Sequence, residues 1–137
     1  MPRFVDTNVL LYSISRRPSD KRKRQRAIEV LTSQDLALSA QVLQEFYVQA
    51  TRVTRDDALS HDAAAGFMKA WSRFPVQEIS LEIVNAALVI CDRHQLSYWD
   101  SSIMAAAQAL GCSELLTEDM NPGQRVGSVK IVDPFRE

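Results

Sequence analysis

The sequence predicts an α/β protein in three layers, α/β/α, with a central parallel sheet of about five short strands. Three observations carry that prediction. Short apolar runs alternate along the chain with longer segments of helical periodicity, the order a parallel sheet needs. The 137 residues suit one domain, spanning 1–137. No internal repeat, low-complexity tract or linker interrupts them.

Taken in order, Arg3–Asp6 reads as a short apolar strand ending in an acid, followed by a helix over NVLLYSI. Pro18, Ser19 and Asp20 break the pattern and supply a cap for a second helix running to about Leu31. Leu36–Leu38 is a strand, and Ser39 caps the helix AQVLQEFYVQATR, whose Val42, Leu43, Phe46, Tyr47 and Ala50 recur at helical spacing. Ser60–Trp71 reads as a helix with Ala64, Phe67, Met68 and Trp71 on one face. Pro75 ends it, and Val76–Ile79 forms a short strand. Helices are predicted over Leu81–His94 and Tyr98–Leu110, the latter stopped by Gly111. Glu114–Leu116 and Val129–Val132 are the last two strands, separated by the turn-rich loop NPGQRVGS.

Composition narrows the class. Hydrophobic residues at 46% and charged ones at 24% fit a globular chain and exclude wholesale disorder. The formal net charge of −1 argues, as an average, against a surface coated for nucleic acid. The average conceals a segment, Arg16 to Arg26, in which 7 of 11 residues are basic. That segment reads either as a solvated helix face or as a phosphate-binding patch made of Arg16, Arg17, Lys21, Arg22, Lys23, Arg24 and Arg26. Cys91 and Cys112 lie in apolar helical stretches, form no C-x-x-C pair and have no zinc-ligand spacing to His61 or His94, so both read as buried reduced thiols. MPRFVDTN lacks the apolar run of a signal peptide, and SSIMAAAQALGCS is too short to span a bilayer; a cytoplasmic location is the expectation.

The informative residues are acids at positions where the pattern calls for hydrophobes. Ligands of open parallel sheets bind beyond the carboxyl ends of the strands. There RFV delivers Asp6, Thr7 and Asn8, and ELL delivers Thr117, Glu118 and Asp119. Asp100 shares the core-facing stripe of its own helix with Ile103, Met104 and Ala107. Ser97 three residues earlier equally makes a capping box with it, so cap and ligand both stand at this point. Asp6 is likewise an N-cap candidate, and Glu45 an ordinary helical glutamate, when each is taken alone. As a set they say more. Two unit charges about 4 Å apart repel by about 4 kcal/mol at an effective dielectric near 20, so converging carboxylates must hold protons or a cation. All-oxygen ligation favours Mg²⁺ or Mn²⁺ over zinc.

FVDTNVLLY, SAQVLQEFYVQATR, LSYWDSSIMAAAQALGCSELLTEDM and the closing GSVKIVDPF together resemble PIN-domain ribonucleases, and more narrowly VapC-type toxins of type II toxin–antitoxin systems. The resemblance covers essentially the whole chain. It implies that Asp6, Glu45, Asp100 and Asp119 form the catalytic acidic site. Asp6 and Asp100 would be the main metal ligands, with Glu45 and Asp119 joining directly or through water. Thr7, Asn8 and Thr117 would orient the carboxylates by hydrogen bonds. Asp119 is preferred to Glu118 because the family places its acid two residues after the threonine. Asp133 departs from the asparagine that family members commonly carry before the final Pro-Phe. The implied activity is Mg²⁺- or Mn²⁺-assisted hydrolysis of an RNA phosphodiester in the cytoplasm. The implied partners are RNA and a VapB-type antitoxin, with a homodimer that becomes a heterotetramer or larger on antitoxin binding. Phe46, Tyr47, Phe67 and Trp71 are candidates for the antitoxin groove and equally for the core.

Two rival readings share some of these residues. One is a PIN-like RNA- or protein-binding module without catalysis, which the presence of all four acids opposes. The other is an aspartate-based phosphotransfer protein or phosphatase. That chemistry calls for a second acid two residues after the first and a lysine at a late strand end, whereas Asn8 occupies the former position and Lys130 precedes its strand's apolar residues.

Overall fold

The computed structural model describes residues 1–136. Its elements are β1 (Arg3–Val5), α1 (Thr7–Ser13), α2 (Lys21–Leu31), β2 (Leu36–Ser39), α3 (Ala40–Ala50), α4 (His61–Trp71), β3 (Val76–Gln77), α5 (Leu81–His94), α6 (Tyr98–Ala109), β4 (Glu114–Leu116), β5 (Arg125–Val126) and β6 (Val129–Val132). The strands form one sheet in the order β3-β2-β1-β4-β6-β5. All neighbouring pairs are parallel except β5–β6.

The three-layer expectation holds, and the sheet gains a sixth strand. Val126 pairs with Val129 across a two-residue turn in which Gly127 has φ 60, a conformation that favours glycine. The predicted loop NPGQRVGS therefore contains an antiparallel edge strand. With two residues, β5 is too short to show the alternation by which strands are recognised. Strand β3 also ends two residues earlier than predicted, at Gln77.

Helix starts follow the serines. Ser39, Ser60, Ser80 and Ser97 each accept a hydrogen bond from the amide three residues on, satisfying one of the orphan donors at a helix start. The predicted cap at Asp20 is not made. Pro18–Asp20 forms a 3₁₀ turn instead, and the Asp20 carboxylate accepts from the Ser15 hydroxyl at 2.6 Å.

Helix α6 packs against the sheet on one side and α5 on the other, so seven consecutive residues, Ser101 to Ala107, are buried. A helix enclosed in this way is apolar nearly all round. Helices α1 to α4 pack as a second group, α1 on α2 and α3, and α3 on α4. The core includes Phe4, Leu10, Leu38, Phe46, Met104, Leu115 and Ile131. Cys112 is buried as predicted, and burial pushes its thiol up to about 11. Cys91 is only half-buried, because α5 is an outer helix and the thiol sits at the flank of its packed face. Asp133 accepts the Phe135 amide at 2.9 Å, a local turn that needs only a side-chain oxygen. Among the described residues no helix is long and apolar enough to cross a membrane.

Candidate active site

Strands β1 and β4 lie side by side with Val5 opposite Leu116, so the next residues, Asp6 and Thr117, emerge together at the carboxyl edge. The Asp6 amide donates to Leu116 O at 3.1 Å and closes the ladder there. Asp6 then caps α1, its Oδ1 accepting from the Thr7 amide at 2.7 Å. Cap and site are one and the same residue. Its other oxygen accepts from the Thr117 hydroxyl at 2.8 Å.

Thr117 is fully buried and uses its whole bonding capacity. It donates to Asp6 and accepts from Asn8 Nδ2 at 2.9 Å and from the Asp119 amide at 3.1 Å. Asn8 Nδ2 also reaches Asp119 Oδ2 at 3.0 Å. Glu45, on α3, is held from both sides, by Thr7 Oγ1 at 2.8 Å and by Gln41 Nε2 at 2.9 Å. Asp100 sits in the first turn of α6, where the Ser97 hydroxyl accepts its amide at 3.0 Å.

These segments converge. Asp6, Glu45, Asp100 and Asp119 line a single cavity of about 140 Å³, together with Thr7, Asn8, Leu11, Gln49, Trp99 and Ile103. No Lys, Arg or His is among those lining residues. Burial pushes Asp6 up from 3.8 to about 6; hydrogen bonds from Thr117 and the Thr7 amide oppose the rise, and the charges of Glu45 and Asp119 add to it. Asp100 is also raised, first by burial, with Ser97 opposing and Asp119 and Glu45 contributing. Glu118 points elsewhere, toward α2, where Lys23 Nζ donates to it at 2.8 Å and Tyr12 OH also bonds it.

The basic segment divides into two groups. Arg22 Nη1 donates to Phe135 O, Arg26 Nε to Pro134 O, and Lys23 to Glu118, so these three tie α2 to the rest of the fold. Arg16 and Arg17 turn toward Asp56 and Asp57. Lys21 and Arg24 have no side-chain partner among the described residues and, with Arg16 and Arg17, border an open concavity of about 430 Å³.

Of the four aromatics weighed for a groove, Phe46 and Trp71 are core and Tyr47 is half-buried. Phe67 is 40% exposed and lines an apolar groove of about 530 Å³ with Ile14, Ile28, Leu31 and Trp71. Sequence reasoning missed Gln41, whose i,i+4 spacing to Glu45 was the available signal. It also missed Trp99, whose only signal was an aromatic next to Asp100.

A sheet of this order with an acid-lined edge defines the class, and comparison with known proteins names it. The model of the PIN domain matches residues 3–125, and the chain belongs to that family. A toxin–antitoxin complex from Klebsiella pneumoniae is similar, with 23% identity over 96% of this chain and 97% of that one, at a TM-score of 0.71. Mycobacterium tuberculosis VapC20, described as a toxin cleaving the sarcin-ricin loop, matches at 19% identity, 82% and 86% coverage and a TM-score of 0.64. The DNA-bound VapBC of Salmonella typhimurium matches at 18%, 98% of both chains and 0.66. Comparison with curated proteins finds no match.

Proposed function

We propose that this PIN domain is a metal-dependent endoribonuclease, the VapC-type toxin of a toxin–antitoxin pair. The observation that carries it is the cavity into which four separate segments deliver Asp6, Glu45, Asp100 and Asp119 with no basic side chain to balance them. Carboxylates gathered around one cavity, with Asp6 buried, hold a proton or a cation, and burial raises Asp6 to about 6 without one.

Among the described residues no three acids or other ligands already converge on one point as a closed metal cage. Mg²⁺ does not need that arrangement, since it keeps several waters and uses one or two carboxylates directly. The donor set therefore fits Mg²⁺ or Mn²⁺, with Asp6 and Asp100 as direct ligands and Glu45 and Asp119 acting directly or through water. A divalent ion bound there supplies charge neutralisation and an activated water for in-line hydrolysis of a phosphodiester. The chain's own contribution is orientation. Thr117 and the Thr7 amide fix both Asp6 oxygens, Thr7 and Gln41 fix Glu45, and Asn8 fixes Asp119. Three of the four carboxylates are thus aimed before the substrate arrives, while Asp100 is positioned through its backbone, whose amide Ser97 accepts.

Lys21 and Arg24, with Arg16 and Arg17 beside them, would meet RNA phosphates, a reading supported by the open concavity they border together. Arg22, Lys23 and Arg26, expected to share that role, serve the fold first. The apolar groove bordered by Arg16 and Arg24 suits an amphipathic antitoxin segment carrying acids at its flank. That similar structures are toxin–antitoxin complexes supports a VapB-type partner, with a toxin homodimer inside a heterotetramer or larger assembly. The phosphotransfer reading loses ground on placement. Lys130 pairs in register with Glu114, toward the amino end of β6 and away from the Asp6 edge.

The test is to sequence RNA 5′ ends soon after induction of the parent and of Asp6→Asn. The proposal expects new ends at discrete sites with the parent alone. Identical end profiles would reject it.

A further inference from the structure

Beside the acidic cavity lies a second one of about 100 Å³, and Trp99 lines both. The second cavity has an apolar side formed by Ile83 and Val84 and a polar side that includes the amides of Gln44 and Gln77. Trp99 is 66% exposed and, apart from Phe67, is the only aromatic among the described large hydrophobics exposed to solvent. Its ring meets Tyr98 in a T-shaped contact, with centroids 5.2 Å apart and planes at 80°, so Tyr98 does not lie parallel on the indole. Its indole N–H has no hydrogen-bond partner among the described residues, and neither does the Gln44 side chain. Gln41 joins the two cavities, since its Nε2 bonds Glu45 at 2.9 Å and reaches the Trp99 carbonyl at 3.5 Å.

We infer that this second cavity is a nucleobase subsite, in which Trp99 stacks the unpaired base next to the phosphodiester held at the acids and Gln44 bonds its edge. The inference rests on the nuclease reading and deepens it, giving one unpaired base a seat on this chain beside the acids. A base inside a duplex is already stacked on both faces and cannot lie on an indole, whereas unstacked bases in loops are recognised in this way. Aromatic stacking tolerates any base, because every base presents a π-face, so Trp99 supplies affinity and Gln44 supplies preference. Placement one residue before Asp100 ties the platform to the cleavage position. A base seated on Trp99 holds its own phosphate over the acids.

The experiment uses the full chain carrying Asp6→Asn, which silences cleavage, with and without Trp99→Ala or Trp99→Phe. Binding of a fluorescein-labelled single-stranded 12-mer RNA of mixed sequence is followed by anisotropy, and tryptophan emission by quenching. Trp99→Phe leaves only the buried Trp71 emitting, which isolates the Trp99 signal. The expected result is quenching that disappears in Trp99→Phe, and affinity about 10-fold weaker in Trp99→Ala, with most of it restored by Phe. RNA binding that Trp99→Ala leaves unchanged, or that quenches no Trp99 emission, overturns the subsite and spares the nuclease reading. Absence of RNA binding by the Asp6→Asn chain itself overturns both. Loss of the dimer in Trp99→Ala, with RNA affinity unchanged per chain, reassigns Trp99 to a subunit interface and overturns the subsite.

Discussion

Replacing Asp6 with Asn should make the metal-free protein more stable at neutral pH while removing its activity. Asp6 is 6% exposed, and its carboxyl rises from 3.8 to about 6. At about 1.4 kcal/mol per pH unit, keeping it ionised at pH 7 costs the fold ~3 kcal/mol. Asparagine removes that charge but exchanges one accepting oxygen for an NH₂ group. The NH₂ then faces either the Thr7 N–H or a Thr117 hydroxyl that already accepts twice. One buried hydrogen bond is lost, worth ~1–2 kcal/mol. The net expectation is a gain of ~1–2 kcal/mol at pH 7 in chelator. The pH dependence has a definite sign. Between about 4 and 6 the native state holds a proton that the unfolded chain has released, so the parent loses stability as pH rises through that window. Asp35, lowered by its bond from Arg3, acts below 3.8 in the opposite direction. Asp57 does so too, since the Arg16 amide, Arg55 and Arg17 outweigh its burial. Asp100, raised by burial, acts above 3.8 in the same direction as Asp6, so Asp6→Asn should keep a shallower slope rather than none. Urea melts of both proteins from pH 4 to 8 in EDTA measure this directly. An Asp6→Asn chain less stable than the parent at pH 7, with the parent's slope between 4 and 6 unchanged, would refute the reasoning.

Further expectations rest on other contacts. Mg²⁺ should stabilise the parent in thermal melts and leave Asp6→Asn nearly unmoved, because only the native carboxylates gain a ligand. Thr117→Val should cost ~1–3 kcal/mol, measured by urea melts, since it leaves the Asp119 amide without its acceptor and Asp6 Oδ2 without its donor. Its cleavage–pH profile should also move to higher pH, because the lost bond is one that lowers Asp6. Lys21→Ala with Arg24→Ala should flatten the salt dependence of RNA binding by up to ~1.4 in log–log slope, at ~0.7 per phosphate contact on a single strand. Arg22→Ala with Arg26→Ala should instead lower the melting temperature. In the native protein a thiol reagent should titrate Cys91 and leave Cys112 untouched until unfolding, given the burial and raised thiol of Cys112.

What could be read from the sequence followed physical signal strength. The long helices and β1, β2, β4 and β6 declare themselves through periodicity and serine caps, and the structure keeps them. Strand β5 was hidden because two residues carry no alternation and its pairing depends on the turn at Gly127. The acids were legible as charges out of place, but their convergence is a tertiary fact set by the β1–β4 register and by α3 and α6 crossing the same edge. Charge density along Arg16–Arg26 could not reveal that three of its members serve the fold, since Pro134, Phe135 and Glu118 lie about a hundred residues away. Trp99 was invisible for a related reason. An aromatic next to a helical acid looks like core until its exposure is known.

The central claim is that the acids cut RNA with a divalent ion. Its most direct test is cleavage of RNA by the purified chain with Mg²⁺ or Mn²⁺, with and without chelator, beside Asp6→Asn and Asp100→Asn. The account predicts cutting by the parent that chelator abolishes and added metal restores, with both variants reduced by about 100-fold or more, the scale of losing a charge-stabilising group. Cleavage that persists in chelator and in both variants would contradict it.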